Sequence, residues 1–265
     1  DRNNLKQIST INKIKNMSRL KNKVAVVTGA SKGIGAGIAK AYGTEGASVV
    51  VNYASDKEGA DRVVNEIVAN GGKALAIQGN VAEAADVKRL FAETKNAFGS
   101  VDILVNNAGV FKFEPLEAVT AEEFHRQFNI NVLGTILATQ EAVQHFGDAG
   151  GSVINMGSVV SDNPLANSIV YSATKGAVDT IAVALSKEFA GKKIRVNTIA
   201  PGGVETEGAV TAGIIGSDFE KHLISQTPLG RLGQPDDIAK VAVFLASDDS
   251  EWVNGEKINV SGGAR

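Results

Sequence analysis

The sequence predicts a single α/β domain built on a doubly wound, parallel β-sheet. After residue 23, short β-branched runs alternate with longer helical stretches, and the strand cores VAVV, VVV, DILV and SVIN are almost entirely apolar. Such strands are covered on both faces, as in a parallel sheet, and the alternation implies right-handed crossovers between them. No linker rich in proline, glycine or serine divides the chain, so one domain is expected.

The individual elements follow from the same periodicities. Predicted strands span 24–28, 48–53, 74–79, 101–105, 152–156, 194–199 and 256–260. Predicted helices span 33–44, 57–70, 82–98, 121–146 and 170–189, and a break is expected within the long fourth helix. The chain is 43% hydrophobic over 265 residues, which is enough to fill a sizeable core.

The charge is unevenly distributed along the chain. Residues 1–23 carry seven basic side chains and one acidic one, whereas the remainder carries 20 basic and 28 acidic side chains. An acidic globular part is a poor electrostatic match for nucleic acid or an anionic membrane, so neither is expected as a partner. No apolar run approaches the roughly 18 residues of a membrane helix.

The absence of cysteine excludes several kinds of chemistry. Disulfides, thiolate metal sites and cysteine nucleophiles are impossible, and no metal site is predicted. This composition fits a reducing compartment, so a cytoplasmic location is expected.

Residues 1–19 are interpreted as a basic extension and residues 20–265 as the domain. The extension lacks the layout of a secretory signal, and it is rich in lysine and asparagine rather than arginine. Met17 precedes the first globular pattern, so an upstream-derived, disordered tail is favoured over a native surface extension or a targeting sequence.

A glycine-rich turn joins the first predicted strand to the first predicted helix. It reads TGASKGIG over residues 28–35, with the spacing G-x-x-x-G-x-G rather than the common G-x-G-x-x-G. Glycines let the backbone approach a ligand, and a helix N-terminus offers free N–H groups to a pyrophosphate. Dinucleotide binding is therefore favoured over a purely structural turn, with contacts from Gly29, Ser31, Lys32, Gly33, Ile34 and Gly35.

The end of the second strand indicates which dinucleotide is bound. NAD sites usually carry an acidic residue there to hold the ribose 2′-hydroxyl. This chain has Asn52, Tyr53, Ala54 and Ser55 instead, and Lys32 adds a positive charge nearby. A 2′-phosphate favours a cation with hydroxyl or amide donors, so we predict NADP(H). A solvated surface lysine is the alternative interpretation of Lys32.

One tyrosine stands out as a candidate catalytic residue. Two of the three tyrosines occur in Y-x-x-x-K, as Tyr53–Lys57 and Tyr171–Lys175. Tyr171 and Lys175 lie on one face of a predicted helix, and Ser158 lies 13 residues earlier, at the carboxyl end of a strand, where open α/β sheets bind ligands. The residue 13 positions before Tyr53 is a lysine, so the first motif fails.

These motifs together resemble the short-chain dehydrogenase/reductase family over residues 20–263. The matching segments are TGASKGIG (28–35), NNAG (106–109), Asn131 in INVLG, Ser158, YSATK (171–175) and PGGVET (201–206). The resemblance implies that Asn131, Ser158, Tyr171 and Lys175 form a catalytic tetrad. It also implies a Rossmann-like sheet of about seven strands in the order 3-2-1-4-5-6-7, and a homotetramer.

The resemblance extends the predicted cofactor contacts beyond the glycine-rich turn. They comprise Asn80, Val81, Asn107, Ala108, Gly109, Pro201, Gly202, Val204 and Thr206, together with Tyr171 and Lys175. It further implies that Lys175 binds the ribose hydroxyls and that Asn131 holds a water linking Lys175 to solvent. Asn80 and Ser261 replace aspartates that the family often carries.

The reaction needs a proton donor, because a carbonyl that accepts hydride becomes an alkoxide. A free tyrosine has a pKa near 10, and a neighbouring ammonium favours the phenolate. Lys175 is therefore expected to lower the pKa of Tyr171 toward about 7, which requires about 4 kcal/mol of differential stabilisation. Ser158 is expected to donate a hydrogen bond to the developing oxyanion.

The substrate is predicted to be a small hydrophobic ketone or aldehyde. Residues 204–229 combine possible glycine hinges with apolar side chains, as in a mobile lid over the nicotinamide. The predicted hinges are Gly208, Gly213 and Gly216, and the apolar lid residues are Val210, Ile214, Ile215, Phe219 and Leu223. The other predicted pocket residues are Phe111, Val159, Val160, Pro164 and Ile169.

Three alternatives to this function remain open. Reduction of a 3-oxoacyl-carrier protein is less favoured, because the stretch TQEAVQHFGD (139–148) has no lysine or arginine to dock an acidic carrier. A sugar or polyol dehydrogenase and a non-catalytic NADP(H)-binding protein are the others, since a fold does not determine a function.

Overall fold

A computed structural model describes residues 18–264 of the chain. The expectation for residues 1–17, a disordered upstream tail, lies outside the described residues. Leu20 is fully buried in the core and Arg19 pairs with Glu45 at 2.8 Å. The fold is therefore already formed at Arg19, within the predicted extension.

The described residues form a seven-stranded parallel sheet. Its strands are β1 (Val24–Val27), β2 (Ser48–Tyr53), β3 (Lys73–Gln78), β4 (Ile103–Asn106), β5 (Gly151–Met156), β6 (Ile194–Pro201) and β7 (Lys257–Val260). Their order is β3-β2-β1-β4-β5-β6-β7, and each adjacent pair is parallel. The predicted fold class and strand order are confirmed.

Nine α-helices flank this sheet within residues 18–264. They are α1 (Gly33–Thr44), α2 (Lys57–Ala69), α3 (Ala84–Phe98), α4 (Ala121–Phe128), α5 (Gly134–His145), α6 (Ile169–Glu188), α7 (Glu207–Thr211), α8 (Asp218–Ser225) and α9 (Pro235–Ala246). The predicted long helix is broken, as expected, by a π-helical segment, Asn129–Leu133, between α4 and α5. Among these helices, none combines the length and apolar character that a membrane span requires.

The sequence predictions missed three helices. Helix α9 carries local signals that could have found it, since Pro235 occupies its first turn and the Gln234 N–H donates to Asp237 Oδ2 at 2.8 Å. Helices α7 and α8 are short and lie in the segment predicted as a lid.

Both faces of the sheet are covered by apolar side chains. Val27 belongs to a cluster that includes residues of α1, α2 and α9, whereas its neighbour Val26 belongs to a cluster that includes residues of α3, α5 and α6. Both valines are fully buried. This arrangement explains why the strand cores are continuously apolar, and it leaves the carboxyl edge of the sheet as the place where loops converge.

Candidate active site

The glycine-rich turn after β1 crosses the segment after β4 at close range. Gly29 has a φ of +59°, and a Cβ on it would lie 2.8 Å from the Ala108 Cα. A Cβ on Gly35 would lie 2.4 Å from Asn107 Nδ2 and 2.7 Å from the Gly29 carbonyl oxygen. Glycine is therefore required at both positions by packing within the protein.

Hydrogen bonds join these two segments. Asn107 Nδ2 donates to the carbonyl oxygens of Thr28 and Gly29, both at 2.9 Å. The Thr28 hydroxyl oxygen accepts the N–H groups of Asn107 and Ala108, both at 3.0 Å. The N-cap residue of α1, Lys32, makes no side-chain hydrogen bond to the helix, whereas Asp56 caps α2 through the Gly59 N–H at 2.9 Å. The Gly33 N–H, the first of α1, donates to Glu207 Oε2 at 2.9 Å, so an anion can bind at this helix end beside or in place of that carboxylate.

The predicted contacts at the end of β2 divide into two groups. Asn52 is buried; its Oδ1 accepts the Gly29 N–H at 3.3 Å, and its Nδ2 donates to the Gly79 carbonyl oxygen at 3.1 Å. These hydrogen bonds hold the glycine-rich turn in place, and the predicted cofactor contact of Asn52 stays a prediction. Tyr53 is also buried, whereas Lys32, Ala54 and Ser55 are exposed and Ser31 is half-buried.

Asn80 and Val81, after β3, also make internal contacts. The Asn80 Oδ1 accepts the Ala82 N–H at 3.1 Å, and its own N–H donates to Asp86 Oδ2 at 2.9 Å. Val81 is buried against Gly134, where a Cβ would lie 2.6 Å from a Val81 methyl group. Val81 thus packs α5 against the end of β3, whereas Asn80 bonds to Asp86 in the first turn of α3.

Three of the predicted tetrad residues meet at one cleft. Ser158 follows β5, Tyr171 and Lys175 are one turn apart on α6, and all three line a cavity of about 380 Å³. The Lys175 Nζ donates to the Met156 carbonyl oxygen at 2.7 Å and lies 5.6 Å from the centroid of the Tyr171 ring. The Ser158 Oγ accepts the Val160 N–H at 3.3 Å, so its own proton can be donated to Tyr171 or to a bound carbonyl.

Burial dominates the acidity of this pair. It raises the pKa of Tyr171 to about 12, and only the hydrogen bond from the Ser158 hydroxyl opposes the shift. Burial lowers the pKa of Lys175 to about 8, and the charge of Asp179 opposes that shift. The expected lowering of the Tyr171 pKa toward 7 is therefore not found in the protein by itself, because desolvation disfavours the phenolate.

The fourth predicted residue, Asn131, lies behind the cleft in the π-helical segment. Its Nδ2 donates to the Val110 carbonyl oxygen at 2.8 Å and to the Thr174 Oγ1 at 3.0 Å, and its Oδ1 accepts the Val110 N–H at 2.8 Å. A Cβ on Gly109 would lie 3.3 Å from Asn131 Oδ1 and 3.7 Å from Lys175 Nζ. Asn131 thus ties the segment after β4 to α6. Its water-holding role stays a prediction.

The cleft is largely apolar and rich in aromatic side chains. Phe111, Phe113 and Tyr171 have ring centroids 5.5 to 6.1 Å apart, and Phe219 lies 6.4 Å from Phe113. The predicted contacts Ile34, Asn107, Gly109, Pro201, Gly202, Val204 and Thr206 also line the cavity. Phe113, Leu165, His222 and Gln226 line it as well and were not predicted; the position of Phe113, two residues after Phe111, is a signal that could have found it.

Some predicted pocket residues face elsewhere. Val159 and Val160 line the cavity, but Pro164 and Ile169 do not, and Ile169 is exposed at the start of α6. Those two expectations are wrong, because an apolar run does not reveal which side chains turn toward the cleft.

The predicted lid covers one side of this cleft. Ile214, Ile215, Phe219 and Leu223 line the cavity, whereas Val210 points outward and is exposed. Gly213 and Gly216 have φ values of +70° and +85°, which favour glycine, whereas Gly208 does not require it. The mobility of the lid stays a prediction.

Within residues 18–264, no group of three or more histidine, aspartate or glutamate side chains is arranged to hold a metal ion. The parallel sheet, the glycine-rich turn and the Ser158–Tyr171–Lys175 group instead define a dinucleotide-dependent oxidoreductase class.

Comparison with known proteins agrees with that class. A family model described as enoyl-(acyl carrier protein) reductase matches residues 29–265. An uncharacterised oxidoreductase of Methylorubrum extorquens is 58% identical over 249 residues, covering 94% of this chain and all of its own. Versicolorin reductase 1 of Aspergillus parasiticus is 42% identical, covering 93% and 97%. Tetrahydroxynaphthalene reductase of Pyricularia oryzae is 41% identical, covering 92% and 90%.

Solved structures agree with the fold at high similarity. A short-chain dehydrogenase of Burkholderia cenocepacia, crystallised in complex with NADP, is 33% identical with a TM-score of 0.88, covering 93% of this chain and 99% of that one. The chain therefore belongs to the short-chain dehydrogenase/reductase family, and it is an oxidoreductase of the C=O/CH–OH class.

Proposed function

We propose that this chain, as a single catalytic domain over residues 20–265, reduces small hydrophobic ketones or aldehydes with NADPH. The observation that carries the proposal is the position of Ser158, Tyr171 and Lys175 on one wall of an apolar, aromatic-lined cleft that continues to Ile34 in the glycine-rich turn. A carbonyl that approaches this wall meets hydroxyl donors on an otherwise apolar surface.

The residues of the glycine-rich turn suit a dinucleotide. The N-terminus of α1, which its own N-cap residue Lys32 does not cap, suits the pyrophosphate, and Lys32 with Ser31 and Ser55 suits a 2′-phosphate. Asp56 is committed to capping α2, so no free carboxylate ends β2 to bind a 2′-hydroxyl, which favours NADP(H) over NAD(H). The NADP complex of the Burkholderia relative supports the same choice. When bound, the reduced nicotinamide supplies the hydride.

Tyr171 is the proposed proton donor. With its pKa at about 12 it stays protonated at neutral pH, so the acid is ready without a prior ionisation step. An alkoxide is a much stronger base than a phenolate, so proton transfer from Tyr171 to the new alkoxide is favourable. The Ser158 hydroxyl, which interacts with Tyr171 in the protein by itself, turns its proton to the developing oxyanion and stabilises it.

Lys175 and Asn131 complete the proposed machinery. The Met156 carbonyl accepts one of the three Lys175 ammonium protons, and the other two are available to ribose hydroxyls and to Tyr171. Asn131 holds the backbone of Val110 and the hydroxyl of Thr174, next to Lys175, and so it maintains the width of the cleft.

The lining of the cleft favours planar, ring-containing substrates within this class. Phe111, Phe113 and Phe219 offer ring faces and edges against which a flat substrate can stack. The relative named for tetrahydroxynaphthalene, by its name a fused aromatic ring, points in the same direction.

A carrier-bound acyl substrate is the second candidate, because the matching family model is described as an enoyl-(acyl carrier protein) reductase. Helix α5 carries no lysine or arginine to attract an acidic carrier, so we rank this candidate lower. A higher kcat/KM on an acyl-carrier thioester than on a free cyclic ketone would reverse the order.

The assembly and location of the protein are also proposals. Phe124, Ile136 and Val183 expose apolar surface on α4, α5 and α6, which supports a homotetramer, to be checked by light scattering. The cysteine-free sequence supports a cytoplasmic location, to be checked by cell fractionation.

The decisive test is NADPH oxidation at 340 nm with a panel of ketones and aldehydes. We expect turnover with cyclic ketones, a loss of about 100-fold or more in Tyr171→Phe, and unchanged NADPH binding in that variant. Tyr42→Phe is the matched control, because Tyr42 is buried, donates to the Ala242 carbonyl oxygen and does not line the cleft. Retained turnover in Tyr171→Phe would refute the assignment.

A further inference from the structure

A chain of alternating charges runs from Lys175 away from the cleft. Asp179 lies one turn after Lys175 on α6, so the two side chains share a helix face. The Lys257 Nζ forms ion pairs with Asp179 Oδ2 and with Asp162 Oδ2, each at 2.8 Å. The four groups alternate in sign from the buried ammonium to the partly exposed carboxylate of Asp162.

Among the described residues, one carboxylate oxygen of Asp179 has hydrogen-bond partners and the other has none. Its Oδ2 also lies 2.7 Å from the Ser161 hydroxyl, which is itself 2.8 Å from the Ser158 carbonyl oxygen. Its Oδ1 is buried and has no hydrogen-bond partner among the described residues. A Cβ on Gly157 would lie 3.0 Å from this Oδ1, so the free oxygen faces the backbone between Met156 and Ser158.

Lys175 needs a compensating charge. It is buried, and its one hydrogen bond among the described residues goes to the neutral Met156 carbonyl. A buried ammonium without a nearby anion loses its proton readily. Around it, α6 contributes Tyr171 and Asp179, α8 contributes His222 across the cleft, and Asn107 and Asn131 are neutral. Of these groups, Asp179 is the carboxylate.

We propose that Asp179 is a positioning residue that keeps Lys175 protonated, and that Lys257 sets how much of the Asp179 charge reaches Lys175. Lys257 neutralises part of the carboxylate and is itself held by Asp162 and by the Ser161 hydroxyl oxygen at 2.6 Å. This inference rests on the proposed role of Lys175. The network of Asp179, Lys257 and Asp162 would set the pH range over which Lys175 keeps its proton.

Two substitutions in this network act in opposite directions on Lys175. Asp179→Asn removes the anion, so the midpoint for loss of the Lys175 proton moves toward acid by about one pH unit. Lys257→Met removes the competing cation, so the midpoint moves toward alkali. A merely structural role would destabilise both variants without moving the midpoints apart.

The experiment reads the Lys175 proton directly, by NMR titration of lysine labelled with ¹³C at Cε in the protein alone. The signal is assigned by its loss in Lys175→Arg. Lys240→Met is the control, because Lys240 pairs with Asp236 on the exposed face of α9 and its loss is expected to leave the Lys175 midpoint unchanged. Midpoints that stay together, or that move in the same direction in the two network variants, overturn the proposal.

The alkaline limb of kcat/KM for NADPH-dependent ketone reduction is the second readout. We expect it to move with the NMR midpoint in each variant. Opposed NMR shifts in a protein that reduces no carbonyl would leave the charge network standing and refute the proposed function instead. If Asp179→Asn does not fold, Lys257→Met alone still tests the proposal. A Lys175 midpoint in that variant that is unchanged, or that moves toward acid, contradicts the proposed network.

Discussion

The Glu207 Oε2 accepts a hydrogen bond from the Gly33 N–H at 2.9 Å, which joins the start of the lid to the N-terminus of α1. This places a carboxylate beside the helix end that we assign to the cofactor pyrophosphate. Two anions at one helix N-terminus repel each other, so Glu207 opposes cofactor binding unless it moves.

Glu207→Gln is therefore expected to bind NADPH about two- to fivefold more tightly, in line with the strength of a charge at a helix terminus. Fluorescence titration of NADPH measures the effect. Glu205→Gln is the control: Glu205 is also exposed and accepts from Gln234 Nε2 at 2.8 Å, away from α1. Weaker binding in Glu207→Gln would mean that Glu207 assists the cofactor.

The lowered pKa of Lys175 makes a prediction for stability. Between pH 8 and 10.5 the unfolded chain holds the Lys175 proton while the folded chain has released it, so this group makes the fold more stable as pH rises through that window. Over the full window the contribution is about 3 kcal/mol. The free energy of unfolding of Lys175→Met should lack this rise, so the variant's stability relative to the wild type should decline from pH 8 to 10.5 in denaturant titrations.

The contacts around Gly35 predict that its substitution damages the glycine-rich turn. In Gly35→Ala the new methyl group meets the Asn107 amide and the Gly29 carbonyl, so we expect a loss of about 1–3 kcal/mol and weaker NADPH binding. Gly176→Ala, beside Lys175 on α6, is the matched control. No atom lies near its Cβ position, and it should stabilise the helix by about 0.5–1 kcal/mol. Thermal melts of both variants check the contrast.

The aromatic lining predicts which substrates suffer when a ring is removed. Phe113 contacts both Phe111 and Phe219 at the cleft, so Phe113→Ala should raise KM about three- to tenfold for bicyclic aromatic ketones and much less for short aliphatic ones. Trp252→Ala is the control, because Trp252 is almost fully exposed and lies outside the cleft. Equal losses on both substrate types would argue against stacking.

The sequence by itself determined the fold class and the convergence of Ser158, Tyr171 and Lys175, whereas the strand order came from the resemblance to a known family. The fold class and the convergence depend on local periodicity and on one general property of parallel sheets, namely that their carboxyl ends meet at one edge. The spacing of Tyr171 and Lys175 specified a shared helix face before any packing was known. The glycine-rich turn was equally readable, since its conformation is set over a few residues.

Only the tertiary structure decided which distant residues form hydrogen bonds with each other and how acidic the side chains of the site are. Asn52 was predicted as a ligand contact but is buried against Gly29, and Glu207 reaches Gly33 across 174 positions of the chain. Tyr171 has a raised rather than a lowered pKa because desolvation depends on how elements pack around it. Burial and pairing are sums over neighbours from several strands and helices, and no local pattern encodes them.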